Sequence, residues 1–364
     1  MPDSPLNSPL NSPNSSAFRR PTRASALTRR SLLTGAGALG IGALLTACGS
    51  DDKKAKADSA GSAESGPWSF KDDRGKTART DQLPQKIVAF ISTAAALHDY
   101  GVECTGVFGP SEPIGGKPNP QAGDLDLTKL TSLGQAWGEF NIEKYAALQP
   151  DLLISNMFPP PDLWFVPAES AKKIEALAPS VGITGGRVSL RQPLKRYTEL
   201  AQSLGADLTA KKITDAKARF DRAEKTLREA AAAKKADGGL KVLAMTGDAE
   251  QMYVGVPDSY CDLNYFKDLG VDFVEGEKSD EFGFWEFLSW ENADKYHADL
   301  IMIDNRSTAL PAAELAKRPT WNRLPAVKAD QTTPWSMEER YSYAGFAPVL
   351  EQLAAAITKS KRLV

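Results

Sequence analysis

The stretch from Asp207 to Ala236 runs between Gly205 and the pair Gly238-Gly239 without an internal glycine or proline, and it restricts the fold more than any other part of the chain. Every residue inside it is tolerable in a helix. Ile213, Ala216, Phe220, Ala223, Leu227 and Ala230 recur in alternating steps of three and four, which places them in one apolar stripe. Asp207 or Thr209 suits the start, Lys234 and Lys235 suit the last turn, and the two glycines supply a left-handed stop. On the wet side, Asp215 with Arg219, Asp221 with Lys225 and Glu224 with Arg228 are spaced for ion pairs. At about 1.5 Å per residue, this single helix spans roughly 45 Å.

Alone, such a helix is a long surface element, but the chain before it echoes the chain after it. Lys86-Ile-Val-Ala-Phe parallels Lys241-Val-Leu-Ala-Met, and Asp99-Tyr-Gly-Val parallels Asp268-Leu-Gly-Val. Glu143 to Leu153 (EKYAALQPDLL) aligns with Glu291 to Ile301 (ENADKYHADLI), with the same distance from glutamate to aspartate. A repeat of order points to two similar lobes joined by the helix. The predicted division is residues 68–206 for the first lobe, 207–236 for the linking helix and 237–364 for the second lobe.

The opening residues carry a different message. Arg29-Arg30 precedes an uncharged run from Leu32 to Ala47, which is short of the ~20 residues a spanning helix needs. A basic flank, a short apolar core and a small-residue end make residues 1–47 an export signal. The paired arginines resemble a twin-arginine signal, and Leu45-Thr46-Ala47-Cys48 resembles a lipobox, in which the cysteine is lipidated. Gly35-Ala-Gly-Ala-Leu-Gly40 matches a dinucleotide fingerprint by letter, but no strand precedes it and no βαβ unit surrounds it. Residues 48–67 are rich in Ser, Gly, Ala, Asp and Lys and read as a flexible tether.

The whole chain has 44 basic and 46 acidic residues, net −2. Losing five arginines and one aspartate with residues 1–47 moves the balance to −6. A mildly acidic body argues against nucleic acid as a partner. Cys104 and Cys261 read as buried free thiols, one in each lobe. The chain has two histidines, His98 and His297, each read as a helix C-terminal residue, and no HExxH, CxxC or GxSxG. These features weigh against catalysis, and no His/Asp/Glu cluster for zinc or manganese is visible.

In the first lobe, Ile87–Ile91, Thr105–Phe108 and Asp151–Ser155 read as strands, with helices over Thr93–Tyr100 and after Asn141. In the second lobe, Leu240–Met245, Gln251–Val254 and Leu300–Asp304 read as strands. Tyr260–Leu269 reads as a helix, another helix is capped by Ser289, and a closing helix runs from about Pro348 to Lys359. This alternation predicts an α/β fold with two Rossmann-like lobes and mainly parallel sheets. Loops at strand C-terminal ends are where such sheets bind ligands. One of these loops is Asn156-Met-Phe-Pro-Pro-Pro-Asp-Leu-Trp164-Phe.

The segments NIEKYAALQPDLLI and FGFWEFLSWENADKYHADLI, the strand order and a Trp335 loop before the last helix resemble the substrate-binding lipoproteins of iron-siderophore and cobalamin ABC importers. The likeness covers about Leu83 to Ile357. It implies two lobes bridged by one rigid helix, as in class III periplasmic binding proteins, with ligand in the cleft and no chemistry performed on it. It also implies no resident cofactor, a monomer, an ABC permease with its ATPase as partner, and a membrane anchor at Cys48. The closest likeness is to ferric hydroxamate binders, in which tryptophans at the positions of Trp285 and Trp335 face the ligand. At the position of Trp137 a hydroxamate binder has arginine and a cobalamin binder has tryptophan, so this chain departs from the hydroxamate pattern there.

A hydroxamate-wrapped ferric ion presents methylene loops and polar oxygens, so its site calls for aromatic walls and one or two guanidinium donors. The expected ligand-binding residues are Trp137 and Trp164 from the first lobe, and Trp285, Arg306, Trp335 and Tyr341 from the second, with Arg187 and Arg340 as weaker candidates. If Trp285 and Trp335 face ligand, replacing either with alanine should cost affinity and spare stability. Glu143 and Glu291 each suit a helix first turn. In the family, glutamates at these positions pair with permease arginines. Cobalamin or haem is the alternative ligand, and an anchored extracellular hydrolase is the alternative from another class.

Overall fold

The computed structural model describes residues 66–277 and 280–363. The readings placed on residues 1–65, including the export signal, the tether up to that point and lipidation at Cys48, lie outside the described residues. The described residues belong to one compact unit.

The described chain opens with a hairpin that the sequence reading missed, β1 (Trp68–Lys71) against β2 (Thr77–Thr80). Arg74 at its tip binds Asp72, Glu175 and Ser180, and Arg196 binds Asp73, so ion pairs fasten the hairpin to the first half. Then follow β3 (Ile87–Phe90), α1 (Ile91–Asp99), β4 (Gly106–Phe108), β5 (Thr131–Ser132), α2 (Ile142–Leu148) and β6 (Leu152–Met157). Next come α3 (Ala171–Glu175), β7 (Ser180–Thr184) and α4 (Arg191–Ser203). The strands form one sheet in the order β5-β4-β3-β6-β7, parallel throughout. Its central strands are buried along their length, as expected of a parallel sheet covered on both faces.

The long helix is α5 (Lys211–Ala236), and it buries Ile213, Phe220, Ala223 and Leu227 of the anticipated stripe, with Ala216 and Ala230 half-buried and Ala231 buried beside them. Its start differs from the expectation. The Asp207 carboxylate accepts from the Thr209 amide and hydroxyl in a turn before the helix, and Ala210 holds the cap position without a side-chain bond. Of the three anticipated ion pairs only Glu224 with Arg228 forms. Asp215 and Asp221 turn back to Lys211 and Lys217, and Arg219 reaches Glu351 instead.

After α5 come β8 (Lys241–Gly247), β9 (Gln251–Gly255), α6 (Cys261–Asp268), β10 (Asp272–Phe273), β11 (Trp285–Ser289) and β12 (Leu300–Asp304). The chain ends with α7 (Ala312–Leu315), α8 (Pro325–Lys328), β13 (Thr332–Trp335) and α9 (Tyr343–Lys359). The second sheet has the order β11-β9-β8-β12-β13, with β10 also on β8. It is mixed: β10, β12 and β13 run parallel with β8, whereas β9 runs antiparallel to β8 and pairs antiparallel with β11 at the edge.

The sequence echo has a structural counterpart. α1 and α6 both end at the aspartate of their echoed segment and stop at a positive-φ glycine, Gly101 or Gly270. Each then leads to a strand parallel to the first strand of its sheet, β4 on β3 and β10 on β8. The likeness fails at Ser289, which is the last residue of β11; only a 3-10 turn, Trp290–Asn292, follows it. His98 lies in the last turn of α1, but His297 is outside any helix.

The closing helix starts five residues earlier than expected. Ser342 caps it by accepting from the Gly345 amide, leaving Pro348 inside the helix rather than at its start. Cys104 and Cys261 are buried free thiols. The two sheets are separate, but one apolar core extends through both and includes the inner faces of α5 and α9. α5 packs mainly along α9, and Phe220 lies against Tyr265 and Tyr343. The rod is thus seated on helices of the second half.

Candidate functional site

Both halves place aromatic groups where their strands end. In the first, the loop after β5 is pinched shut because the Asn141 amide donates to the Leu133 carbonyl at 2.7 Å and the Glu139 carboxylate accepts from the Gln135 and Ala136 amides. Trp137 sits at its tip, 61% exposed. The loop after β6 is held by the Trp164 amide donating to the Asn156 carbonyl and by the Ser155 hydroxyl donating to the Trp164 carbonyl. The two indoles meet with centroids 4.8 Å apart, and Phe165 packs edge-on against both.

In the second half, Asp280 accepts from the Phe284 and Trp285 amides and fixes the entry to β11. The half-buried Trp285 meets Tyr260 at 5.1 Å and Trp335 at 5.9 Å. Trp335 itself is 0% exposed, and its indole N–H donates to Asp262 at 2.7 Å. Its ring lies over Gly255, where a Cβ would meet it at 3.2 Å. Burial lifts the Asp262 carboxyl to about 7, because its charged form has left water. Tyr341 is likewise buried, stacked on Phe346 and beside Tyr197, with its hydroxyl 3.3 Å from the Gly185 carbonyl. Trp335 and Tyr341 therefore back the junction from inside the fold rather than facing open solvent.

Arg306 follows β12. Its guanidinium grips Asp304 through Nε and Nη2 and also binds Glu338. Burial works against its charge, but Asp304 and Glu338 hold it firmly protonated. Glu338 was not expected from the sequence, yet it is the joint of the site. Besides Arg306 it accepts from Gln121 at 2.7 Å and from the Trp164 indole at 3.3 Å, both in the first half. Next to it, Arg340 reaches Asp99 at 2.7 Å and Glu339 at 3.0 Å. Arg187 donates to the Phe282 carbonyl and lies over the Phe284 ring at 5.5 Å, while its amide and that of Leu190 bind the Ser259 and Cys261 carbonyls.

The junction thus assembles the expected residues as two aromatic groups, Trp137 with Trp164 and Trp285 with Trp335, spanned by Arg306 and Glu338. Tyr260, Gln121, Asp262 and Glu338 were missed. Glu338 had a legible signal, its place in the loop after a parallel strand, but sequence alone does not say which acid of Glu338-Glu339 reaches Arg306. Glu143 and Glu291 are exposed and away from this network; Glu143 stands in the first turn of α2, capped by Asn141, and Glu291 in the turn after β11.

Alternating strands and helices form two sheets, with aromatic and guanidinium groups meeting between strand ends. The chain belongs to the periplasmic binding protein family, whose model matches residues 105–335. Members of this family bind substrates rather than transform them, and this chain is accordingly a binding protein and not an enzyme. It is similar to DesE, a ferric-siderophore receptor protein from Streptomyces coelicolor, with 50% identity over 82% of this chain and 100% of that one and a TM-score of 0.77. The siderophore periplasmic binding protein from the fuscachelin gene cluster of Thermobifida fusca shares the fold at 24% identity and a TM-score of 0.54, over 75% of this chain and 96% of that one. So does the petrobactin-binding protein YclQ from Bacillus subtilis at 17% identity and a TM-score of 0.60, over 80% and 99%. No curated protein matches the chain.

Proposed function

We propose that this protein is a lipid-anchored receptor that binds an iron-siderophore, of ferric hydroxamate type, between its two halves and delivers it to an ABC permease and its ATPase. The observation that carries the reading is the meeting of the Trp137–Trp164 pair with the Trp285 group across the Arg306–Glu338 joint. Such a surface suits a bulky chelate with apolar loops around polar oxygens. The 50% identity to a ferric-siderophore receptor protein supports the cargo class. Trp137, Trp164, Trp285 and Arg306 contact the ligand in this reading, while Trp335 and Tyr341 hold the contacting groups in place.

The Leu45-Thr46-Ala47-Cys48 segment supports an anchor at Cys48 on the outer face of the cytoplasmic membrane. Glu143 and Glu291, exposed and equivalent in the two echoed segments, are proposed as the acids that meet permease arginines. The seating of α5 along α9 supports a small closing movement rather than a wide hinge swing. The receptor acts as a monomer with no resident cofactor.

Tryptophan fluorescence titration with ferrioxamine, ferrichrome, cobalamin and haem tests the reading. Tight quenching by either ferric hydroxamate supports it. Quenching confined to cobalamin or haem replaces the cargo with one of those macrocycles, to which the tryptophan at 137 would be suited.

A further inference from the structure

Resting on that reading, we propose that Glu338, Asp304 and Gln121 form a corner that receives a protonated amine of the cargo. Among ferric hydroxamates, the protein then selects those with a free ammonium terminus over neutral and anionic ones. The first observation is a charge that lacks a counterpart. Asp304 and Glu338, with side chains 0% and 4% exposed, share the single guanidinium of Arg306. One guanidinium balances one carboxylate, so one negative charge is left away from water, where it is costly until a cation arrives.

The second observation is independent. Gln121 is 2% exposed, and its amide orientation is set by Nε2 donating to Glu338 at 2.7 Å. Its Oε1 is then an acceptor without a donor among the described residues. A buried acceptor beside a surplus carboxylate calls for a group carrying both N–H donors and positive charge, and an ammonium carries three such donors.

The remaining charges near the junction do not reverse this balance. Arg340 is engaged by Asp99 and Glu339, Arg187 is engaged by the Phe284 ring and the Phe282 carbonyl, and Asp280 adds a further carboxylate at Trp285. A carboxylate-tailed or phenolate-bearing complex would bring another acceptor and another negative charge to a corner that already holds an excess of both.

Ferrioxamine B, its N-acetyl derivative and its N-succinyl derivative share one iron coordination sphere and differ in terminal charge, +1, 0 and −1. Titrating the wild-type protein with these three ferric complexes decides the question. The expected order of affinity is amine, acetyl, succinyl, with about tenfold or more between the first and last at low salt, as expected for a difference of two unit charges at partly buried distances. Glu338→Gln keeps acceptor and shape but removes the charge, and should compress that span several-fold. Equal binding of all three, or tightest binding of the succinyl complex, overturns the corner and leaves the hydroxamate reading standing. Failure of all three to bind removes the hydroxamate reading and this inference with it. The wild-type series decides between these outcomes even if Glu338→Gln fails to fold.

Discussion

The two sheets begin from the same βαβ plan and finish as different walls. The first is parallel throughout and presents its aromatic groups on loops, with Trp137 at an exposed tip. The second admits β9 antiparallel to β8 and β11 antiparallel to β9, and these put Trp285 on a strand backed by Tyr253, Tyr260 and a wholly buried Trp335. A loop tip held by a few hydrogen bonds yields at little cost, whereas a strand packed on core aromatics does not. In the proposed reading, adaptation falls to the first half and registration of the ligand to the second.

Trp335→Ala tests the rigid side hardest. Removing a fully buried indole should cost about 3–5 kcal/mol, and the Asp262 carboxylate then loses its donor. Denaturant unfolding is expected to show a large fall in midpoint. Burial here reverses the expectation, drawn from sequence, that this substitution spares stability. A loss below about 1 kcal/mol would be a surface-like value, and the contrast between the walls would collapse.

The parts of the fold written in local patterns were legible. The stripe on α5, the strands at Ile87 and Leu300 and the paired endings at Asp99 and Asp268 follow from periodicity and from glycine at the stop. Features set by distant partners were not. Ser342 outcompetes Pro348 as the start of α9 because its hydroxyl is also fixed by Asp99, far away in sequence. Arg219 abandons Asp215 for Glu351 for the same reason. In the site, Trp164 was visible because loops at strand C-terminal ends carry ligands, whereas Trp137, Trp285 and Trp335 were visible through the family resemblance. That Trp335 turns inward depends on the bare backbone at Gly255 and on Asp262, and Glu338 becomes the joint only when Gln121 and Trp164 arrive from the other half.

Asp262 sharpens the same comparison through pH. Its carboxyl titrates near pH 7 in the folded protein because of burial, against about 3.9 for an exposed aspartate. Between those values the folded state holds a proton that the unfolded chain has released, so stability falls as pH rises from about 4 to 7. Glu339, lifted to about 7 by burial, acts in the same direction. A fall of about 2–3 kcal/mol from each of the two groups between pH 5 and pH 8 is expected from this linkage. Asp262→Asn keeps an acceptor for the Trp335 indole and should flatten the profile to the part that Glu339 leaves. An unchanged profile in the variant would mean that Asp262 is ionised in the fold and that the wall is less dry than its geometry implies.

The smallest structural effect belongs to the exposed tip. Trp137 rests on Trp164 and Phe165 but leaves 61% of its surface in water, so its loss removes little core packing. Trp137→Ala should change unfolding free energy by no more than about 0.5–1 kcal/mol. If the loop wall closes on cargo, the same variant should weaken binding about tenfold, in line with the ~1–1.5 kcal/mol an aromatic contact contributes. Measuring both in one preparation separates two causes that a binding assay alone would merge. Binding lost together with stability would make Trp137 a prop for Trp164, whereas binding lost alone makes it the part of the wall that moves to meet the ligand.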